Sequence, residues 1–310
     1  MKKPKFGLPN QTKHDSTWAG SSAWHERLTC TNSKLKDFEQ WLMKNHTKHY
    51  SKDLMRYVKK YHHVLRNPRE ICEISVLPRD TRRLAMSALA NLSKYLGCYE
   101  DWKALAKNAG LRWEKKASLD VVLDIMNTNL QDCWTWLKQV VTRIPRKFGC
   151  VLVFTALTGL RPREATKSTK LISDLYEIER LDDYLNRELL ILEHFRYSDL
   201  FLRRCKNAYI SFITPELLEL VLTHKPKIKY SGLDTRINRL GFPTKTRQLR
   251  KYYATMLREH LPTEAIDLLQ GRINRSVFLR YYYKPFLEDI RTKTMKGIKP
   301  LQQELLEILS

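Results

Sequence analysis

From Ser33 onward, apolar residues recur at intervals of three and four, the period that lines one face of an α-helix. Leu35, Phe38 and Leu42 share a face behind a Ser33 cap, and Leu54, Val58, Tyr61 and Leu65 share another, opened by Ser51 and closed at Asn67-Pro68. Thr81 to Leu96 sets Leu84, Ala88, Leu89, Leu92 and Leu96 on one side and stops at Gly97. A fourth helix runs from about Asp101 to Asn108, before Gly110. Together these predict a compact helical bundle over residues 34–112. Residues 1–33 carry Gly, Pro, Ser, Thr, Asn and Lys without a lasting period, so they read as a mobile arm, with Trp18 and Trp24 as local packing.

Arg112 to Ala117 is polar and basic, which places a linker over 113–117 ahead of a Ser118 cap. Helices follow over about 119–126 and 129–142, and Phe148 to Leu157 is apolar almost all round, as a buried helix is. Gly159 ends that run. The period then changes: Leu200 to Arg204 and Tyr209 to Ile213 read as strands around Cys205-Lys206-Asn207-Ala208, and Thr214-Pro215 caps the next helix. Helical patterning resumes over Asp234–Leu240, Arg247–His260, Thr263–Gln270 and Ser276–Lys284, and continues after Pro285 through Leu301, Leu305, Ile308 and Leu309. The expected fold is mainly α with a small β-hairpin or sheet, the second domain covering 118–290 and a tail helix 291–310.

Composition narrows the partner. Lys and Arg number 56 against 33 Asp and Glu, a formal charge of +23 spread along the whole chain. Such an excess on a folded protein serves a polyanion. Nucleic acid is favoured over a membrane surface, because no strongly amphipathic basic helix stands alone. No run approaches a membrane span, and Met1-Lys-Lys leads into Pro4 rather than an apolar signal, so a soluble, cytoplasmic protein is expected. The six cysteines form no Cys-x-x-Cys pair and have no His at zinc-ligand spacing, which reads as free, mostly buried thiols.

The candidate chemistry lies between Thr244 and Tyr283, where cations gather around tyrosines. Arg247-Gln-Leu-Arg250-Lys251-Tyr-Tyr opens the stretch, Gln270-Gly271-Arg272 sits within it and Arg280-Tyr281-Tyr282-Tyr283 closes it. Guanidinium forks match phosphate oxygens, and a phenol can act as a nucleophile. The combination suggests phosphoryl transfer on a nucleic-acid backbone. No set of carboxylates forms a convincing Mg²⁺ cluster, so the expected chemistry uses no metal and no cofactor.

Three boxes in order give these residues a family likeness. Thr158-Gly-Leu-Arg161-Pro-Arg-Glu164, then Arg247-x-x-Arg250-x-Tyr-Tyr-Ala-Thr, then Gly271-Arg272 with a tyrosine ten residues on, resemble the arginine boxes and nucleophile of the tyrosine recombinase (phage-type integrase) family. The Arg at 247 and the Gln-Gly-Arg box are most similar to integrases of archaeal spindle-shaped viruses and related archaeal mobile elements. The resemblance implies a core-binding domain and a catalytic domain that clamp duplex DNA, acting as a site-specific recombinase through a 3′-phosphotyrosine without metal or ATP. It also implies a homo-oligomer, a tetramer on DNA, whose C-terminal helix docks on a neighbouring protomer.

Carried onto this chain, the resemblance makes Arg161, Arg250 and Arg272 the cradle for a phosphate in its transition state. Lys206, on the turn between the predicted strands, is the implied general acid, since a lysine can release a proton where an arginine essentially cannot. Arg247 replaces the commoner His or Lys and holds phosphate rather than shuttling protons. Tyr282 has the archaeal viral spacing, with Tyr281 second and Tyr283 third. Glu164 orients an arginine. Lys59, Lys60, Arg66, Arg79, Arg82 and Arg83 on the bundle's outside, with His62 and His63 beside them, and Lys251 fit phosphate-positioning contacts, although any one of them alone reads as an ordinary surface charge. A type IB topoisomerase-like relaxing enzyme, or a DNA-binding protein with a decayed active site, are the competing readings.

Overall fold

The computed structural model describes residues 32–114, 117–127, 129–203, 206–273 and 277–309, without the side chains of Asn32, Ser33, Leu130, Leu279 and Arg280. The predicted arm lies outside these residues except for Asn32 and Ser33, as do Lys115 and Lys116 of the predicted linker and Cys205 of the predicted turn. The chain divides into two compact units, Met1–Val122 and Leu123–Ser310.

In the first unit, helices α1 (Asn32–Asn45), α2 (Lys48–Tyr61), α3 (Arg79–Tyr95) and α4 (Tyr99–Asn108) carry the expected apolar faces. Phe38, Leu42, Leu54, Val58, Ala88 and Leu89 are completely buried together. Each large side chain among them contributes about 1.5–3 kcal/mol relative to remaining exposed. Ser51 is not the start of α2: Thr47 holds the N-cap position, and the buried Ser51 hydroxyl donates to the Leu42 and Thr47 carbonyls at 3.0 and 3.2 Å. Gly97, at φ +73°, ends the α3 segment in the left-handed region that glycine adopts at no steric cost. Helix α5 (Ser118–Asn127) buries none of its residues, and Leu119, Ile125 and Met126 are among the most exposed large apolar side chains.

The second unit is built around α7 (Arg146–Thr158), buried from Gly149 to Thr158 as its all-round apolar text predicts. Against it pack α6 (Leu130–Arg143), α8 (Pro162–Glu177), α9 (Pro215–His224) and two later helices, α11 (Leu249–Leu257) and α14 (Leu287–Leu309). Helices α10 (Tyr230–Arg239), α12 (Thr263–Leu269) and α13 (Val277–Tyr281) complete the unit. The Thr214 cap is as expected, its hydroxyl accepting from the Leu217 N–H at 3.1 Å.

The sheet differs from the prediction. Its three antiparallel strands, β1 (Leu185–Asn186), β2 (Ile191–Leu192) and β3 (Ser211–Phe212), pair Leu185 with Leu192 and Ile191 with Phe212. Residues 200–203 form no strand: Ser198–Phe201 is a helical turn, and the Asn207 side chain accepts the Arg203 N–H at 2.6 Å, folding the segment back into a loop. That side-chain-to-backbone bond gives the chain an alternative to a ladder. Lys206 therefore sits in the long β2–β3 connection rather than at the tip of a tight hairpin.

A buried polar chain ties α8 to the sheet. Ser168 and Tyr184 share a hydrogen bond of 2.9 Å, Tyr184 and His194 one of 2.6 Å, and His194 and Ser211 one of 2.9 Å. Burial pushes the His194 imidazolium down to about 3 and the Tyr184 phenol upward, so both are held neutral.

Within the single chain, the C-terminal helix packs on its own unit. Leu301, Leu305 and Leu309 are buried in the same core as α7, and Glu304 accepts from the Trp134 indole at 3.0 Å and pairs with Lys138. Pro300 stands inside this helix, where it removes one backbone hydrogen bond; buried Ile298 before it and Leu301 and Leu305 after it offset the loss.

Candidate functional site

The geometry starts at the break between α7 and α8. Gly159 caps α7 at φ +65°, and a Cβ there would lie 2.2 Å from the Tyr253 ring, so only glycine lets the chain turn past α11. Two residues on, Arg161 takes the N-cap position of α8, followed by Pro162 at the first helical position. The Glu164 carboxylate reaches back to accept the Arg161 N–H at 3.0 Å and its guanidinium at 2.8 Å. Glu164 is 1% exposed, which makes it a buried counter-ion and not a surface partner. The same oxygen that takes the Arg161 guanidinium also accepts from Arg203 at 2.8 Å.

Arg250 enters from the first turn of α11. Its guanidinium donates to the Gly159 carbonyl at 2.9 Å and to the Gln270 carbonyl, while the Gln270 side-chain amide returns a bond to the Arg250 carbonyl at 3.0 Å. Burial first, then the charge of Arg161, pushes the Arg250 guanidinium down to about 10; Glu164 acts the other way and Arg272 adds to the depression. Arg161 and Arg272 thus both lie close enough to act on the Arg250 charge, with the buried Glu164 opposing them.

Arg272 follows a second glycine that the packing requires. Gly271 has φ +63°, and a Cβ there would meet the Asn207 carbonyl oxygen at 2.0 Å. The Arg161 guanidinium donates to that same Asn207 oxygen at 3.2 Å. Lys206, exposed, is the preceding residue in the chain. Arg272 is 56% exposed and makes a long 3.4 Å pair with Asp267.

The three tyrosines separate by burial. Tyr281 and Tyr282 are 67% and 72% exposed, and Tyr283 packs partly against the core, where burial pushes its phenol upward. Phe278 stacks on Tyr282 at 6.4 Å and lies 5.9 Å from the Tyr283 ring. Arg247 is exposed on a turn ahead of α11, not in the helix as predicted, and lines a depression with Tyr230, Asp234, Asn238 and Thr246. The side chain of Arg280 lies outside the described residues.

Lys59, Lys60, Arg66, Arg83 and Lys251 are exposed as expected. Arg79 and Arg82 are not free surface charges. Arg79 pairs with Asp120 at 2.7 Å, and Arg82 with Glu114 at 2.8 Å and the Ser75 carbonyl at 2.9 Å. In the first unit, His63 lies 3.4 Å from Glu70 and 3.2 Å from Glu73, the one His/Cys/Asp/Glu group among the described residues compact enough to hold a metal. It is partly solvated, and its carboxylates serve as partners of the imidazole.

Residues that sequence reading missed are Asn207, Gln270, Arg203 and Lys167. Asn207 and Gln270 offer their main-chain carbonyls to Arg161 and Arg250 and bond backbone with their side chains, and no pattern announces a backbone partner. Arg203 was hidden inside an expected strand. Lys167, one turn beyond Glu164, donates to the Leu200 carbonyl at 2.8 Å, and burial, followed by the charge of Arg203, pushes its ammonium downward.

The assembled group can hold and polarise an oxyanion: Arg161 is held on a buried carboxylate, and Arg250 lies near enough to feel its charge and those of Arg161 and Arg272. No protein-family model matches this chain, and no curated protein matches it. Among the described residues no helix is long and apolar enough to cross a membrane.

Proposed function

We propose that the chain is a site-specific DNA recombinase of the tyrosine type, cutting and rejoining DNA through a 3′-phosphotyrosine. The observation that carries the reading is that Arg250 feels the charges of both Arg161 and Arg272, three residues far apart in the chain, while the buried Glu164 carboxylate holds Arg161. Lys206 stands next to Asn207, the carbonyl that Arg161 and Gly271 both approach.

In the reaction, the Tyr282 oxygen gives its proton to solvent water and attacks a backbone phosphorus. The P–O5′ bond breaks, and the Lys206 ammonium gives its proton to the leaving 5′ oxygen. The arginines neutralise the charge that gathers on the non-bridging oxygens. Attack by a 5′-hydroxyl on the phosphotyrosine reverses these steps, so bond energy is kept and strands can be exchanged. Tyr282 suits this role by exposure, since it must leave Phe278 to reach a phosphate.

The test is covalent trapping on a nicked duplex library, followed by denaturing electrophoresis and sequencing of the attached DNA. Wild type should form a denaturant-resistant adduct, and Tyr282→Phe should lose it while still binding duplex. An adduct that survives in Tyr282→Phe and disappears in Tyr281→Phe moves the nucleophile by one residue. No adduct under any condition overturns the reading. Transfer between two sites, against plasmid relaxation alone, is the measurement that separates a recombinase from a relaxing enzyme.

A further inference from the structure

The cations near Glu164 fall into two groups. Arg250 is acted on by Arg161, Glu164 and Arg272. Lys167 is acted on by Arg203, Glu164 and Arg163. Glu164 alone belongs to both, and one of its oxygens bonds Arg161 and Arg203 at 2.8 Å each. The second group is built and not accidental. Lys167 is fixed to the Leu200 carbonyl at 2.8 Å and the Arg203 backbone to the Asn207 side chain at 2.6 Å, so α8 and the β2–β3 connection present both cations together. Both reach solvent. A fold that needed both arginines only for cohesion would pair each with its own carboxylate; here one oxygen of one buried carboxylate takes Arg161 and Arg203 alike.

We infer that Arg203 and Lys167 form a second phosphate position, adjoining the one held by Arg161, Arg250 and Arg272, so that the site takes two phosphates of one polynucleotide strand. This rests on the reading above and specifies its substrate: a continuous strand rather than an isolated phosphate ester. The first position holds the reacting phosphate. The second fixes the register of the strand beside it, since phosphate contacts set position without reading sequence. Arg163, whose guanidinium lies 5.7 Å from the Tyr230 ring centroid, is engaged elsewhere and is not assigned to it.

The experiment is a KCl titration of the full-length protein bound to a short fluorescein-labelled random-sequence duplex, read by anisotropy. Each phosphate contact contributes about −0.9 to the slope of log K against log salt. Arg203→Gln and Lys167→Gln should each flatten the slope by about 0.9. Arg203→Lys and Lys167→Arg should restore it, and Lys293→Gln, on α14, should leave it as in wild type. Arg203→Gln also removes a partner of Glu164; if it fails to fold, Lys167→Gln decides, because Lys167 makes no hydrogen bond to Glu164. Wild-type slopes in both Gln variants overturn the second position while covalent trapping by wild type keeps the recombinase reading. A wild-type protein that neither traps DNA nor binds it with a salt-dependent slope overturns that reading and this inference with it.

Discussion

Arg250 and Gln270 hold each other by their main chains: the guanidinium donates to the Gln270 carbonyl, and the Gln270 amide donates to the Arg250 carbonyl at 3.0 Å. The pair fixes the start of α11 to the turn that carries Gly271 and Arg272, so two of the three arginines are positioned by one side chain.

Gln270→Ala should therefore lower the rate of covalent adduct formation by about 10- to 100-fold, the scale expected when a transition-state donor is misplaced. Gln270 is 1% exposed, so its loss should also cost about 1–3 kcal/mol of stability. Single-turnover trapping beside urea unfolding checks both. A variant that is destabilised yet traps DNA at the wild-type rate would show that the pair is structural only.

Gly159→Ala tests the turn between α7 and α8. The left-handed backbone alone costs a non-glycine residue about 1–3 kcal/mol. The overlap with Tyr253 adds to it, because the nearest ring atom is 2.2 Å from the new carbon. Chemical denaturation should show the loss, and relief by the double variant Gly159→Ala/Tyr253→Leu would identify the ring as its source. Wild-type stability in the single variant rules out the steric argument.

His194 gives stability a pH dependence. Its folded-state value is depressed to about 3 from the ordinary 6.5, so between those values the unfolded chain binds the proton that the folded chain refuses. Its contribution is complete above about pH 6.5 and is lost as pH falls toward 3, at up to about 1.4 kcal/mol per pH unit. The ring faces the Tyr184 and Ser211 hydroxyls and packs on Phe201, none of which offers a negative charge to stabilise an imidazolium. Urea unfolding from pH 4 to pH 7 should be steeper in pH for wild type than for His194→Gln. Parallel curves would contradict the assignment.

The C-terminal helix should behave as core. Leu305 is 0% exposed, and Leu305→Ala should cost about 2–5 kcal/mol. Removing 297–310 should lower the melting temperature of the second unit before any effect on association appears. A truncated protein with an unchanged melting temperature and lost strand transfer would instead favour the docking on a neighbour that the resemblance implies.

The helices were legible because their apolar faces repeat within a single turn, as Phe38 and Leu42 or Leu54 and Val58 do. The burial of α7 was equally plain from its unbroken apolar run. The sheet was not, since two-residue strands such as Leu185–Asn186 are too short to show alternation, and Leu190 makes its turn at φ +49° without a glycine to mark it. Arg161, Glu164, Arg250 and Arg272 could be named because side-chain chemistry selects them. The parts that set their geometry, the Asn207 carbonyl and the Gln270 amide, are available in any sequence and become specific only when the loop closes. The pairing of Arg79 with Asp120 was hidden for a related reason: the partners stand 41 positions apart.

The like charges that Arg161 and Arg272 bring to Arg250 work against folding. Each positive charge beyond the one that Glu164 neutralises is held near its like, and the protein tolerates this only because the surrounding backbone fixes the arrangement. Arg272 is the exposed member, with a single long ion pair, so Arg272→Gln should make the free protein melt at a higher temperature even as it abolishes adduct formation. Activity and thermal resistance would then pull in opposite directions at one residue, and selection for stability alone would erode the site.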